Sequence, residues 1–281
     1  MTLLVAPHRG WSGVAEQVGA ALARTPLPFI MTQHLYILTG ASRGMGLAMA
    51  EQLLCVDHFV LCISRRTNEA LASHAAQSGC HLEQWPLDLE HSADAAVVLA
   101  QWLGHRNPGS FTSATLINNA GVIPRICPLS ASDPIDLSRA LRVGLEAPLL
   151  LTAAFLHATE PWAIPRKVLN ISSGLGRRAL ASQAGYCAAK AGMDHFARCL
   201  ALEEALKPQG AKVCSLAPGV IDTDMQLQLR SAEASEFPDQ HNFLNLKLKG
   251  QLTSPVDAAR RVLAYLARPD FGVNPIGDVR D

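Results

Sequence analysis

The chain has 281 residues, 49% hydrophobic and 17% charged, which supplies apolar material for a large core and argues against disorder. Its 24 basic residues balance 24 acidic ones, so no electrostatic footprint marks a nucleic acid or an anionic membrane as partner. No uninterrupted apolar run reaches the length of a membrane span, and the seven cysteines (Cys55, Cys62, Cys80, Cys127, Cys187, Cys199 and Cys214) form no CxxC pair or metal-ligand spacing, which fits reduced thiols in a cytoplasmic protein.

Residues 1–30 differ in character from the rest of the chain. They carry Pro7, Pro26 and Pro28, one helical stretch over 13–24, and no compact apolar core after a basic start of the kind a secretory signal needs. Arg9 and Arg24 outnumber Glu16, but the arginine and serine content is low for a transit peptide. The expectation is an N-terminal extension outside the fold, with Met31 as the functional start; a docked N-terminal helix is the alternative. From Met31 onward strand and helix patterns alternate. Strand-like runs fall at 35–39, 59–64, 81–86, 114–118, 166–172 and 212–217, with a short last one at 276–279. Helical stretches lie between them at 44–55, 68–77, 93–103, 137–156, 184–206 and 255–266. The last helix opens Ser254-Pro255-Val256-Asp257, an N-cap serine with proline at the first helical position and a carboxylate in the first turn. Repeated βα units predict one α/β domain over 31–281, a Rossmann-type doubly wound parallel sheet in three layers with right-handed crossovers. Residues 222–253 mix charges, prolines and isolated apolar side chains, and read as a lid.

Thr39-Gly40-Ala41-Ser42-Arg43-Gly44-Met45-Gly46 joins the first strand to the first helix. Glycines let backbone N–H groups approach a pyrophosphate, and a helix N-terminus favours its negative charge; a glycine-rich turn without a ligand is the competing reading. Sites that prefer NAD place a carboxylate at the end of the second strand, where this chain has Ser64-Arg65-Arg66 and no acid before Glu69. Together with Arg43, these guanidiniums can clamp a 2′-phosphate, which points to NADP(H); the alternative is that Arg65 or Arg66 is solvated surface. Asp88, just after the third strand, suits an adenine amino group or an ordinary helix cap.

Further along, Tyr186-Cys187-Ala188-Ala189-Lys190 sets a phenol and an ammonium four residues apart, on one helix face. Upstream, Asn170-Ile171-Ser172-Ser173-Gly174 ends a strand-like run. The three segments together describe a nucleotide cradle beside a Ser/Tyr/Lys proton-transfer site.

With Asn118-Asn119-Ala120-Gly121 and Pro218-Gly219-Val220-Ile221-Asp222-Thr223 added, the chain resembles a short-chain dehydrogenase/reductase over residues 34–281. Ala217–Gln226 and the stretch from Tyr186 to Glu204 further resemble the sepiapterin reductase and benzil reductase branch. The resemblance implies that Tyr186 protonates the developing alkoxide in carbonyl reduction. It implies that Lys190 stabilises the phenolate, lowers its pKa and bonds the nicotinamide ribose, and that Ser173, thirteen residues before the tyrosine, holds the substrate oxygen. Gly40, Ser42, Arg43, Gly44, Met45 and Gly46 would cradle the pyrophosphate, and Asn119, Ala120 and Gly121 would line the adenine-ribose pocket. Asn118 would be as much structural as cofactor-binding. Pro218, Gly219, Ile221 and Thr223 would border the nicotinamide, Thr223 toward its carboxamide or the nearby phosphate. By the same resemblance Asp278 matches a carboxylate that anchors a pterin edge, the alternative being a surface acid at a frayed terminus.

The chain departs from the family at Arg142-Val143-Gly144-Leu145, where many members carry an asparagine thought to hold a relay water behind the lysine. The expected function is NADPH-dependent reduction of a small apolar or aromatic ketone or diketone, a pterin side-chain ketone included. The alternatives are an NADP-dependent alcohol dehydrogenase and a non-catalytic NADP(H)-sensing scaffold. The apolar helices at 137–156 and 184–206, with the family's habit, imply a homodimer or homotetramer; no metal, nucleic acid or membrane is expected.

Overall fold

A computed structural model of the protein describes residues 33–281; the expected extension 1–30 and the start at Met31 lie outside these residues. Seven strands form one parallel sheet: β1 (Gln33–Thr39), β2 (His58–Ser64), β3 (His81–Pro86), β4 (Phe111–Asn118), β5 (Arg166–Ile171), β6 (Lys212–Ala217) and β7 (Ile276–Asp278). Their order is β3-β2-β1-β4-β5-β6-β7, so the chain winds outward from β1 in one direction and from β4 in the other. That reversal opens a crevice at the carboxyl ends of β1 and β4, the usual ligand position of an open α/β sheet. β1 and β4 each start earlier than the hydrophobic pattern predicts, because Gln33 and Phe111 pair across the sheet.

The strands carry near-continuous apolar runs because both faces are covered; Val60 through Ser64 of β2 are all buried. Helices α1 (Gly44–Leu53) and α9 (Pro255–Ala267) close one face, setting Met49, Ala50, Ala258, Val262 and Leu266 against Leu38, Cys62, Ile117, Leu169 and Leu216. Helix α2 (Glu69–Ser78) follows β2, capped by Asn68, which accepts from Leu71 N. On α9 the predicted Ser254 cap is in place, its Oγ accepting from Asp257 N at 3.0 Å.

The other face is covered by α3 (Ser92–Gly104), α4 (Pro134–Leu141), α5 (Ala147–Thr159) and α6 (Ala184–Ala205), with α3 packed on α5 and α4 on α6. The predicted helix over 137–156 is α4 and α5 joined by a π-helical turn, Arg142–Glu146. The continuous stretch Pro134–Thr159 has the length and composition to cross a membrane, yet it is a core helix, with Ala147, Leu151 and Phe155 fully buried. The lid contains two short helices, α7 (Asp224–Arg230) and α8 (Gln240–Leu248).

Candidate active site

The loop after β1 is shaped by glycine at two points. Gly40 has φ +71°, a region that disfavours side chains, and a Cβ on Gly46 would lie 2.0 Å from the Gly40 carbonyl oxygen. Thr39 ties this loop to the one after β4: its Oγ1 accepts from Asn119 N at 2.9 Å and Ala120 N at 3.0 Å. Asn119 returns the contact, its Nδ2 donating to the carbonyls of Thr39 (2.9 Å) and Gly40 (3.2 Å). Asn118 instead points into the core, donating to Asn170 Oδ1 at 2.8 Å and Thr152 Oγ1 at 3.1 Å. Ser64 Oγ accepts from Ala41 N at 2.9 Å, and Asn68 Nδ2 donates to Ser42 O at 3.3 Å.

These loops border a cavity of about 980 Å³. Gly40 and Ser42 through Gly46 line it with Arg65, Arg66 and Asp88; so do Asn119–Gly121, Pro218, Gly219, Ile221 and Thr223, and at the far end Ser173, Tyr186 and Lys190. Arg65 and Arg66 are exposed on its rim, with no ion-pair partner among the described residues. Arg43 is engaged by Asp224 of the lid, Nη1 to Oδ2 at 2.8 Å. Asp88 both lines the cavity and caps, its Oδ1 accepting from Glu90 N at 3.1 Å. A cradle in which no Cβ fits beside Gly40, with three guanidiniums at its entrance, suits a phosphorylated dinucleotide.

Tyr186, Lys190 and Asp194 recur at four-residue intervals along one face of α6. Lys190 Nζ donates to the Ile171 carbonyl at 2.7 Å and lies 5.8 Å from the Tyr186 ring centroid. Burial pushes the Lys190 ammonium down to about 8, partly offset by Asp194. Burial likewise pushes the Tyr186 phenol up to about 12, against a lowering hydrogen bond with Ser173. The Lys190 ammonium is directed at a backbone carbonyl, and for the phenol burial outweighs the Ser173 contact. Ser173 also accepts from Leu175 N at 3.2 Å just after β5, whereas the neighbouring Ser172 Oγ is buried and makes no hydrogen bond among the described residues.

Sequence reasoning missed the brace beneath these groups. Asp194 accepts from Ser215 Oγ at 2.7 Å and from Arg177 Nε at 3.1 Å, while Arg177 Nη2 donates to the Gly277 carbonyl at 2.8 Å. α6 is thus pinned to β6 and β7 one turn past Lys190. The four-residue repeat from Tyr186 through Lys190 to Asp194 was the available signal.

Gly144 lies buried in the π-helical turn, where a Cβ would meet Ala189 Cβ at 3.2 Å. The π-helical turn thus sets α4–α5 close against α6, next to Lys190.

The lid builds a small core of its own from Leu229, Phe237 and Phe243 with Ile126, and Leu246 packs against it. Leu229 and Phe243 also line the cavity with Met225, while Leu227 and Leu244 point to solvent. Asp278 pairs with Ala217 in the sheet and does not line the cavity. Both its carboxylate oxygens accept from Arg280, at 2.7 and 2.6 Å, which holds the acid below the usual carboxylate range; Arg280 itself reaches the cavity wall.

Comparison with known proteins agrees with this geometry. The family profile described as short chain dehydrogenase matches residues 34–234. Benzil reductase ((S)-benzoin forming) of Bacillus cereus is 34% identical over 86% of this chain and 96% of its own length. Sepiapterin reductase of Bos taurus is 32% identical over 84% of this chain and 91% of its own. A short-chain dehydrogenase/reductase structure from Burkholderia vietnamiensis superposes with a TM-score of 0.60 at 35% identity, covering 89% of this chain and 99% of that one. The profile spans most of the described residues, and the relatives match along nearly their whole length; the chain belongs to the short-chain dehydrogenase family and is a nicotinamide-dependent oxidoreductase.

Proposed function

We propose that the protein is an NADPH-dependent carbonyl reductase whose substrate is a small apolar or aromatic ketone or diketone. The observation that carries this reading is the pairing, within one cavity, of Ser173, Tyr186 and Lys190 at one end with Arg43, Arg65 and Arg66 at the other. When bound, the reduced nicotinamide supplies the hydride. Ser173 hydrogen-bonds the substrate oxygen and stabilises the charge that builds there; the Tyr186 hydroxyl delivers the proton that turns the alkoxide into an alcohol. Lys190, cationic below about pH 8 and anchored by its bond to the Ile171 carbonyl, would favour the phenolate that remains and bond the ribose hydroxyls of the cofactor. Met225, Leu229 and Phe243 roof the site with apolar surface suited to flat aromatic groups. The arginines favour the 2′-phosphorylated cofactor, because a planar guanidinium pairs with phosphate in two parallel bonds.

The likeness to sepiapterin reductase supports a pterin side-chain ketone as a second substrate reading. In it, Asp278 would bind the pterin edge after releasing Arg280. The same site run in reverse would be an alcohol dehydrogenase. A sensing scaffold is less well supported, since Ser173, Tyr186 and Lys190 are all present and close. Free thiols at all seven cysteines fit a cytoplasmic location, and the exposed Leu149 on α5, Leu202 on α6 and Leu206 just after it suit a homodimer or homotetramer interface.

Oxidation of NADPH and of NADH by the purified protein, with a panel of diketones, simple ketones and sepiapterin, tests the reading. The expected result is turnover of aromatic diketones with NADPH preferred. Tight NADPH binding without consumption of any carbonyl would favour the scaffold instead.

A further inference from the structure

The amino ends of the strands, opposite the cavity, carry a cluster that the carbonyl chemistry does not use. The turn from α1 to β2 reads Cys55-Val56-Asp57-His58. The Cys55 Sγ, one Asp57 carboxylate oxygen and one His58 ring nitrogen lie within 4.8 Å of one another. None of the three residues lines the cavity. Cysteine spacing alone gives no hint of this group, because only one cysteine enters it.

Backbone bonds hold the turn in one shape. His58 N donates to the Cys55 carbonyl at 3.0 Å, and His34 N donates to the Asp57 carbonyl at 2.8 Å, which fastens the turn to β1. His58 Nδ1 lies 2.8 Å from the Leu53 carbonyl. A carbonyl only accepts, so Nδ1 carries the proton and Nε2 keeps its lone pair. Metal-binding histidines are oriented in this way, by a bond from the second ring nitrogen to a carbonyl or carboxylate. Nε2 faces Asp57 at 3.9 Å from Oδ1, beyond hydrogen-bond distance. Tetrahedral zinc sets nitrogen, oxygen and sulfur ligands about 3.3–3.6 Å apart, so the side chains need to draw in by only about 1 Å. Cys55 and Asp57 are both exposed and free to do so.

We propose that Cys55, Asp57 and His58 bind a divalent transition-metal ion of the zinc class, with solvent in the fourth position. One thiolate, one neutral imidazole and one carboxylate suit zinc, whereas magnesium and calcium take oxygen ligands. Binding releases the thiol proton to solvent. The ion joins the end of α1 to the start of β2. The other end of α1, at Gly44, opens the cofactor cradle, so the site stabilises that helix without touching substrate.

The test uses the full chain, freed of metal with a chelator, then titrated with Zn²⁺ against a chromogenic zinc indicator and with Co²⁺ by absorption. Wild type should bind Co²⁺ with a thiolate-to-metal charge-transfer band, and Zn²⁺ should raise its Tm. Cys55→Ser should lose the band, weaken Zn²⁺ binding about 10-fold or more and abolish the rise in Tm. Asp57→Asn and His58→Gln should weaken binding as well. Cys199→Ser, at another exposed thiol, should behave as wild type. Without metal, Cys55→Ser should match wild type in Tm and NADPH affinity, which separates lost binding from lost folding. No charge-transfer band in wild type, a band retained in Cys55→Ser, or an equal loss in Cys199→Ser would overturn the inference and leave an adventitious ion only. None of these readouts depends on whether the protein reduces ketones.

Discussion

The wall that carries Ser173, Tyr186 and Lys190 is tied to the sheet by buried hydrogen bonds, whereas the lid facing it rests on a small apolar cluster and on ion pairs at the surface. On the catalytic wall, Lys190 bonds the Ile171 carbonyl and Asp194 is locked between Ser215 and Arg177. Across the cavity, Arg43 pairs with Asp224 at side-chain exposures of 71% and 67%, and Arg125 pairs bidentately with Glu236. Exposed pairs of this kind contribute about 0–1 kcal/mol each, so the lid's main anchorage is one small apolar cluster, in which Phe237 and Phe243 pack with Ile123, Ile126 and Leu180 of the body. The difference separates two tasks. Proton transfer needs fixed distances, and those residues sit where the backbone over-determines them; admission and recognition of substrate fall to the side that can yield.

The contrast is broken most severely on the rigid wall. Lys190→Met should lower kcat by about 10²- to 10⁴-fold, the usual weight of assisted acid–base chemistry. In wild type, kcat/KM for ketone reduction should decline above about pH 8 as Lys190 loses its proton. Stability supplies a second reading of the same group. Its folded pKa of about 8 lies below the ordinary 10.5, so between those values the unfolded chain holds a proton that the folded chain has released. Wild-type stability relative to the methionine variant should therefore rise with pH across that window, as chemical denaturation at a series of pH values can show.

At the cofactor end, Arg65→Ala should weaken NADPH binding by about 1.5–3 kcal/mol, the range for hydrogen bonds to charged groups, and barely alter NADH. Equal losses for both cofactors in a fluorescence titration would remove Arg65 from the 2′-phosphate. The smallest effect is expected on the lid. Asp224→Asn frees Arg43 from its ion pair, and NADPH should bind tighter by less than about 1 kcal/mol, the ceiling for an exposed pair, with kcat for ketone reduction unchanged. Weaker NADPH binding in that variant would show that Asp224 positions Arg43 and does not compete for it.

Local patterns made much of the fold legible from the sequence. The glycine loop, the Tyr186–Lys190 spacing and the Ser254 cap are contacts within a few residues, and each is where the pattern puts it. What stayed hidden depends on contacts distant in the chain. Thr39 reaches Asn119 across 80 residues, and Arg43 meets Asp224 across 181. The lid helices escape a reading of the pattern because Gln240–Leu248 shows no regular apolar stripe, its one buried side chain being Phe243. Arg280 stands two residues from Asp278 in plain view, but which of the two turns to the cavity is set by the pairing of β7 with β6.

The most direct test of the account is the turnover of benzil with NADPH by wild type and by Tyr186→Phe, with NADPH affinity measured on both. Phenylalanine keeps the ring and removes the proton that the mechanism requires. The account predicts turnover in wild type, near-complete loss in the variant, and NADPH dissociation constants within about 3-fold of each other, since no charge is removed. Substantial turnover by Tyr186→Phe would place the proton elsewhere and contradict the assignment of this site.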